Sequence, residues 1–252
     1  MALYNFGVGT IICRRTDIAN PTPAFLGVVQ DVEIDFDQTL KELTGQYKMP
    51  VDIAPAQLKV TGKAKFARIQ ANLMNDLIFG QTITTGGGEQ MSVAQTVAIA
   101  STVTPVVPSS GVFLHDLGVF HTLTGVQFAR VASAPAVGQY TVTEPGGVYG
   151  FNATDVTAAY NLTFYYDYTV TTMTQIVLAN QLMGVGPTFE FHAQETYTNN
   201  AGIPQTMNIK LNACRSSKFS LPMKNGDYTM TDLDFQAFAD QANNWGLLTV
   251  NE

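Results

Sequence analysis

Two stretches of this 252-residue chain alternate strictly between apolar and polar residues, a period of two that suits a β-strand with one buried face. In Asp31-Val-Glu-Ile-Asp-Phe-Asp37 the four acids share one face, and Val32, Ile34 and Phe36 share the other. In Gln57 to Phe66, Leu58, Val60, Ala64 and Phe66 lie opposite Lys59, Lys63 and Lys65. If the two strands pair, the lysines can sit across from Asp31, Glu33, Asp35 and Asp37, where opposite charges stabilise a sheet. Such a stripe is either a solvated, salt-bridged face or a surface turned toward a neighbouring subunit or a channel. An acidic channel wall would repel a nucleic-acid backbone.

Strand signals dominate the rest. Short β-branched or apolar runs lie at 7–13, 112–114, 126–133, 140–143, 148–151, 158–171, 175–182, 188–198, 205–213 and 228–235, separated by turn signals such as Pro145-Gly-Gly147. Asn199-Asn-Ala-Gly202 reads as a hairpin turn. The stretch Leu40 to Pro55, with Gly45, Pro50 and Pro55, reads as a loop between the two alternating strands. One helix is expected, over Ala67 to Phe79: Phe66, Ile69, Leu73, Met74 and Leu77 recur at three- and four-residue steps, and Gly80 stops it. A short helical or irregular stretch is expected from Asp234 to Trp245, anchored by Phe235, Phe238 and Trp245. The expected fold is mainly β: residues 1–110 and 173–252 form one discontinuous β-sandwich or barrel domain with a flanking α-helix, and 111–172 form an inserted small β module.

Charge sharpens this division. From Gln81 to Ile209 there is a single basic residue, Arg130, against Glu89, Asp116, Glu144, Asp155, Asp167, Glu190 and Glu195. Over the whole chain only 13% of residues are charged, about half the usual share, while 46% are hydrophobic. That combination points to a surface covered by partners. The net charge of −7 argues against binding nucleic acid by neutralising phosphates.

Little in the chain points to chemistry. His115, His121 and His192 fall in no metal-binding spacing, and Cys13 and Cys214 form no C-x-x-C pair. His115-Asp116 is the best acid–base candidate, and loop or strand histidines making ordinary hydrogen bonds are the plainer explanation. Gly86-Gly-Gly88 follows a helix and precedes no Lys-Ser/Thr, so it is no phosphate cradle. Tyr165, Tyr166 and Tyr168 either pack a strand or form a platform for sugars. Neither a catalytic residue nor a cofactor is expected. The two cysteines are read as reduced thiols, or alternatively as a bridge between subunits. Arg14 and Arg15 follow the apolar N-terminal run instead of preceding it, so no secretory signal is expected, and no apolar run is long enough to span a bilayer. A soluble chain is the expectation.

Four segments carry a resemblance to the tail tube (major tail) proteins of tailed bacteriophages: Thr44-Gly-Gln-Tyr-Lys-Met-Pro-Val51, Lys59-Val-Thr-Gly-Lys-Ala-Lys-Phe66 with the helix ending Asn75-Asp-Leu-Ile-Phe-Gly80, Asn212 to Asn225, and Asp232-Leu-Asp-Phe-Gln-Ala-Phe-Ala-Asp240. The resemblance implies a tail-tube-like β-sandwich that assembles as stacked hexameric rings into a hollow tube. It places the chain in the virion tail, assembled in the host cytoplasm, with DNA passing through the lumen without specific binding. Implied partners are further copies of the chain and tail sheath, terminator and baseplate proteins. The loop around Thr44, Gln46, Tyr47, Met49 and Pro50 would reach a neighbouring subunit or ring, and Asp31, Glu33, Asp35, Asp37, Lys59, Lys63 and Lys65 would face the lumen or a subunit. Two other readings stay open: a surface adhesin whose tyrosine-rich module binds glycans, and a capsid decoration protein.

Overall fold

The computed structural model describes residues 9–198, 202–223, 225–226 and 228–251. In chain order the first elements are β1 (Thr10–Arg15), β2 (Ala24–Phe25), β3 (Val29–Thr44), β4 (Pro50–Phe66) and α1 (Ala71–Met74), which continues as a π-helical turn over Asn75–Phe79. The middle of the chain carries β5 (Ile83–Thr85), β6 (Gly88–Met91), β7 (Gln95–Ala98), β8 (Val103–Pro105), β9 (Phe113–His121), β10 (Ala129–Arg130), β11 (Gln139–Thr143) and β12 (Val148–Phe151). There follow α2 (Ala153–Thr157), β13 (Asn161–Val170) and β14 (Thr174–Ile176). The last strands are β15 (Phe189–Thr198), β16 (Pro204–Ser220), β17 (Thr231–Ala237) and β18 (Gly246–Val250). The chain is thus mainly β, in several sheets.

It divides into two units, one formed by residues up to Thr82 together with those from Val177 onward, the other by Ile83–Ile176. The second unit therefore starts well before the expected boundary at Gly111. The Ala, Val and Thr stretch ahead of Pro108 is not linker. β7 pairs with β13, β8 pairs with β12, and Ile99 and Val106 are buried in the second core.

In the first unit eight antiparallel strands form one sheet in the order β2-β1-β15-β16-β17-β4-β3, with β18 lying beside the first half of β16. One sheet face is apolar: Ile11 and Cys13 of β1, Phe189 and Phe191 of β15, Leu233 and Phe235 of β17, Val60, Ala64 and Phe66 of β4. Between Phe189 and Phe191 the register slips, so Leu211 and Cys214 of β16, three residues apart, both face this core. Each fully buried Phe contributes about 1.5–3 kcal/mol. The Phe235 ring packs 4.6 Å from Phe191, between centroids, and lies over Gly62, its cross-strand partner on β4.

Leu73 and Leu77 close this core from the helical turn. The helix is shorter than its periodicity predicts. β4 runs on to Phe66, the Ala67 amide still bonds Val28 in sheet fashion, and Gln70 is extended. Phe66 thus belongs to the strand, and Ile69 is exposed. Gly80 ends the turn in the left-handed region as expected, its amide donating to the Asn75 carbonyl. The buried Asn75 side chain locks the exit by donating to the Gln81 carbonyl and accepting from its amide, each at 2.8 Å.

Leu40 to Pro55 is not a loop. β3 continues to Thr44 and β4 restarts at Pro50, leaving only 45–49 as a turn. The prolines are tolerated because this half of β4 pairs only with β3: β17 reaches β4 from Val60 onward, and the register slips between Gln38 and Leu40. From Asp35 to Lys59 every residue except half-buried Pro50 is exposed.

In the second unit two four-stranded sheets, β10-β11-β12-β8 and one in which β6, β7 and β9 all pair with β13, contribute to a single aromatic core. Tyr149 meets Phe164 edge-on at 4.9 Å, and Phe113 stacks on Tyr166 at 5.2 Å. Val148–Phe151 matches its sequence expectation residue for residue, whereas the run at 126–133 yields only the two-residue β10. Toward the C-terminus, β17 takes Asp234 to Ala237 out of the expected helical or irregular stretch, while 238–245 is irregular as expected and β18 begins just beyond it at Gly246. The expected turn at 199–202 falls largely outside the described residues.

Because a Cβ on Gly62 would overlap the Phe235 ring, Gly62→Ala is expected to destabilise the protein by about 1–3 kcal/mol in urea unfolding. Gly87→Ala, whose Cβ would meet nothing within 4 Å, should change stability by less than about 0.5 kcal/mol.

Candidate functional surfaces

The strand pairing of the first unit organises its charge into rows. Asp31, Glu33 and Asp37 of β3 lie opposite Lys65, Lys63 and Lys59 of β4, while Asp35 faces Thr61. On the other side of β4, Lys65 and Lys63 face Asp232 and Asp234 of β17, and Asp234 faces Lys218 of β16. Lys63 Nζ bonds Glu33 at 3.0 Å, and Lys65 comes within 4.0 Å of Asp31. The Glu33 bond holds the Lys63 ammonium above its ordinary range. All of these side chains except those of β17 and β16 stand on or beside β3, the outermost strand, whose far edge has no partner strand among the described residues.

The expected contact residues Thr44, Gln46, Tyr47, Met49 and Pro50 sit at the tip of the β3–β4 hairpin. Tyr47 and Met49 are 76% and 77% exposed, and Leu40, Leu43, Val51 and Ile53 behind them are also exposed. A two-stranded ribbon open to water on both faces is marginally stable by itself. Here it presents large apolar side chains that belong to neither core of the described residues.

A second charged cluster, absent from the sequence reading, lies at the other end of the same sheet. The outward residues of β1, β15, β16 and β18 line a groove of ≈430 Å³ that includes Ile12, Arg14, Glu190, His192, Lys210 and Leu247. The register explains the grouping: Arg14 pairs with Glu190, His192 with Lys210, and Lys210 with Leu247. Arg14 donates to Glu190 at 2.8 Å, His192 Nε2 lies 3.2 Å and Lys210 Nζ 3.5 Å from the same carboxylate. Burial disfavours the Glu190 charge, but His192, Lys210 and Arg14 outweigh it and hold its carboxyl below the usual range. Two permanent cations around one carboxylate leave the groove basic, in a chain that is acidic overall. No sequence motif could reveal it, because Arg14 and Glu190 are 176 residues apart.

The cysteines do not reach a surface. Cys13 and Cys214 are buried in the first core, 1% and 0% exposed, so neither is placed to bridge subunits. Burial pushes the Cys214 thiol up to about 12, and burial, with the nearby Cys214, also raises the Cys13 thiol well above its ordinary range.

In the second unit, His115 and Asp116 part company. Asp116, its side chain 3% exposed, accepts from Tyr140 at 2.7 Å, from Tyr149 at 2.8 Å and from the Gly118 amide, while exposed His115 lies 3.9 Å from Glu144. Glu144 accepts from the Asp116 amide and from Arg130, bonds that hold it below the usual carboxylate range. Burial and the hydrogen bond to Asp116 push both tyrosines well above their ordinary range. Held in this way, the Asp116 carboxylate of β9 ties its sheet to the one that carries Tyr140 and Tyr149. His121, on the end of β9, accepts through Nδ1 from the Thr124 amide and meets Tyr160 edge-on. Tyr166 is buried and donates to Gln95; Tyr168 packs against the core; Tyr165 lies on the outer face, edge-on to Phe120, in a shallow groove of ≈520 Å³. Among the described residues no group of three or more His, Cys, Asp or Glu could hold a metal, and no helix is long and apolar enough to cross a membrane.

Asp116→Ala would leave two buried hydroxyls unpaired, and a loss of about 2–4 kcal/mol in chemical unfolding is expected, well above that of Asp116→Asn. For Glu190, a lowered folded pKa means stability that is full above the ordinary value of 4.5 and lost as pH falls through the lower folded value. Glu190→Gln should therefore flatten the acid limb of a stability–pH profile below about 4.5.

No protein-family model and no curated protein matches the chain.

Proposed function

We propose that this chain is a structural virion protein that assembles with copies of itself into stacked rings forming a hollow phage tail tube, hexameric if the resemblance to tail tube proteins holds. The observation that carries the reading is the β3–β4 hairpin. Its outer half is exposed on both faces and bears Leu40, Leu43, Tyr47, Met49, Val51 and Ile53. An unpartnered ribbon of this length exposes both a strand edge and apolar side chains, the two features that lead β-proteins to associate. The four segments of the resemblance include this tip. A lumen passing DNA without binding it suits a chain of net charge −7, which repels phosphates.

A capsid decoration role would also use an exposed apolar hairpin, but would require a preformed capsid. The adhesin reading finds support in the groove beside Phe120 and Tyr165, which Thr122 and Thr163 line with hydroxyls. Its aromatic residue would be Tyr165, since Tyr166 is buried.

Negative-stain electron microscopy and sedimentation of the purified chain test the proposal. Uniform rings or tubes are expected. Replacing Leu43, Tyr47, Met49 and Val51 by Ser should abolish them while leaving a cooperatively unfolding protein, because these side chains belong to neither core. A wild-type chain that stays monomeric at every concentration, or quadruple-Ser variants that assemble normally, would contradict it.

A further inference from the structure

The self-assembly reading leaves open which surfaces meet, and the charge rows restrict the answer. β3 ends the sheet, and over the length Asp31 to Asp37 its outward face carries an acid at every second position. A second β3 laid beside it, in either direction, would bring two acid rows to the spacing of neighbouring strands, about 4.8 Å. Like charges directly opposite destabilise a strand pair. Asp35, whose partner on β4 is Thr61, has no lysine across from it to relieve the repulsion. This edge is thus closed to its own twin and suited to a basic surface.

The same sheet carries one. At its β1 end the groove holds Arg14, His192 and Lys210 around a single acid, Glu190, above an apolar floor that includes Ile12 and Leu247. Arg14 is half exposed and Lys210 more than a third exposed, so each keeps capacity for a second carboxylate beyond Glu190. β3 offers the charge counterpart in Asp31, Glu33, Asp35 and Asp37, which share the outward face, while Val32 and Ile34 turn the other way onto the core and Phe36 meets Trp245 edge-on.

We propose that the acidic β3 edge of one copy docks into the Arg14–His192–Lys210 groove of the next, an inference that rests on the self-assembly reading and names its two faces. Because the two surfaces differ, each copy can offer its β3 to one neighbour and its groove to another, and such a head-to-tail contact repeats around a ring when its rotation closes. The acids of β3 exclude the symmetric pairing, and the groove selects the heterologous one. As a contact between exposed charges it weakens with salt.

Paired charge reversals test this. One variant carries Asp35→Lys and Asp37→Lys; the other carries Arg14→Glu, Glu190→Lys and Lys210→Glu, which keeps the groove cluster internally paired while inverting its sign. Each is checked by circular dichroism for a native fold, then examined by sedimentation and microscopy. Alone, each should need at least about tenfold more protein than wild type to assemble, since like charges then meet at every contact. Mixed in equal amounts, they should recover wild-type assembly, because each presents the charge the other lacks. Either variant assembling alone like wild type, or folded variants whose mixture stays dissociated, would overturn the docking while wild-type rings uphold self-assembly. A wild-type chain that never assembles would overturn both.

Discussion

An unpaired strand edge is the constraint on which the first unit turns. β3 offers a row of backbone N–H and C=O groups along one side for its whole length, Val29–Thr44, and proteins ordinarily blunt, cover or pair such an edge. Its inner part is held by Val29, Val32 and Ile34 against the core and by the lysines of β4. Beyond Phe36, which meets Trp245 edge-on, its outer part pairs with β4 alone among the described residues and is exposed on both faces. The acids keep that edge from pairing with its twin, while the apolar tip remains without a packing partner. In the proposed assembly a second copy completes this sheet.

The rest of the chain is arranged so that this incompleteness stays local. Around Phe235, rings from β15 and β17 interdigitate over Gly62, and the Asn75–Gln81 hydrogen bonds fix the helical turn that carries Leu73 and Leu77. The second unit is self-sufficient in a different way. Two of its acids are satisfied within the unit: buried Asp116 gathers Tyr140 and Tyr149, and Glu144 holds Arg130 at the surface. Electrostatics thus has two uses, as a buried clasp in one unit and as exposed rows in the other.

The alternation of 31–37 and 57–66 shows which face of each strand is buried and admits the pairing of β3 with β4, because a one-residue slip would turn Val32, Ile34, Val60 and Ala64 to water. The same logic failed between Leu40 and Pro55. Gly45 and two prolines look like loop punctuation, and nothing local says that β4 lacks a second neighbour there and so requires no N–H from Pro50 or Pro55. The helix was read too long since Phe66 fits a 3.6-residue period and a two-residue period equally well. The Glu190 cluster and the Asp116 clasp were illegible for a different reason: their members are distant in sequence and meet only through strand register. Tyr166 illustrates the limit for single residues, because β13 alternates Tyr165 outward with Tyr166 inward, and the sequence alone does not say which.

Hydrogen–deuterium exchange of the β3–β4 hairpin, measured at rising protein concentration, tests most directly whether this ribbon is a structure awaiting a second copy. Amides of 36–44 and 51–59 should exchange quickly in dilute protein and become protected as particles form, while β15–β17 amides stay protected throughout. Protection of the hairpin already complete in dilute monomer, or unchanged on assembly, would contradict the account.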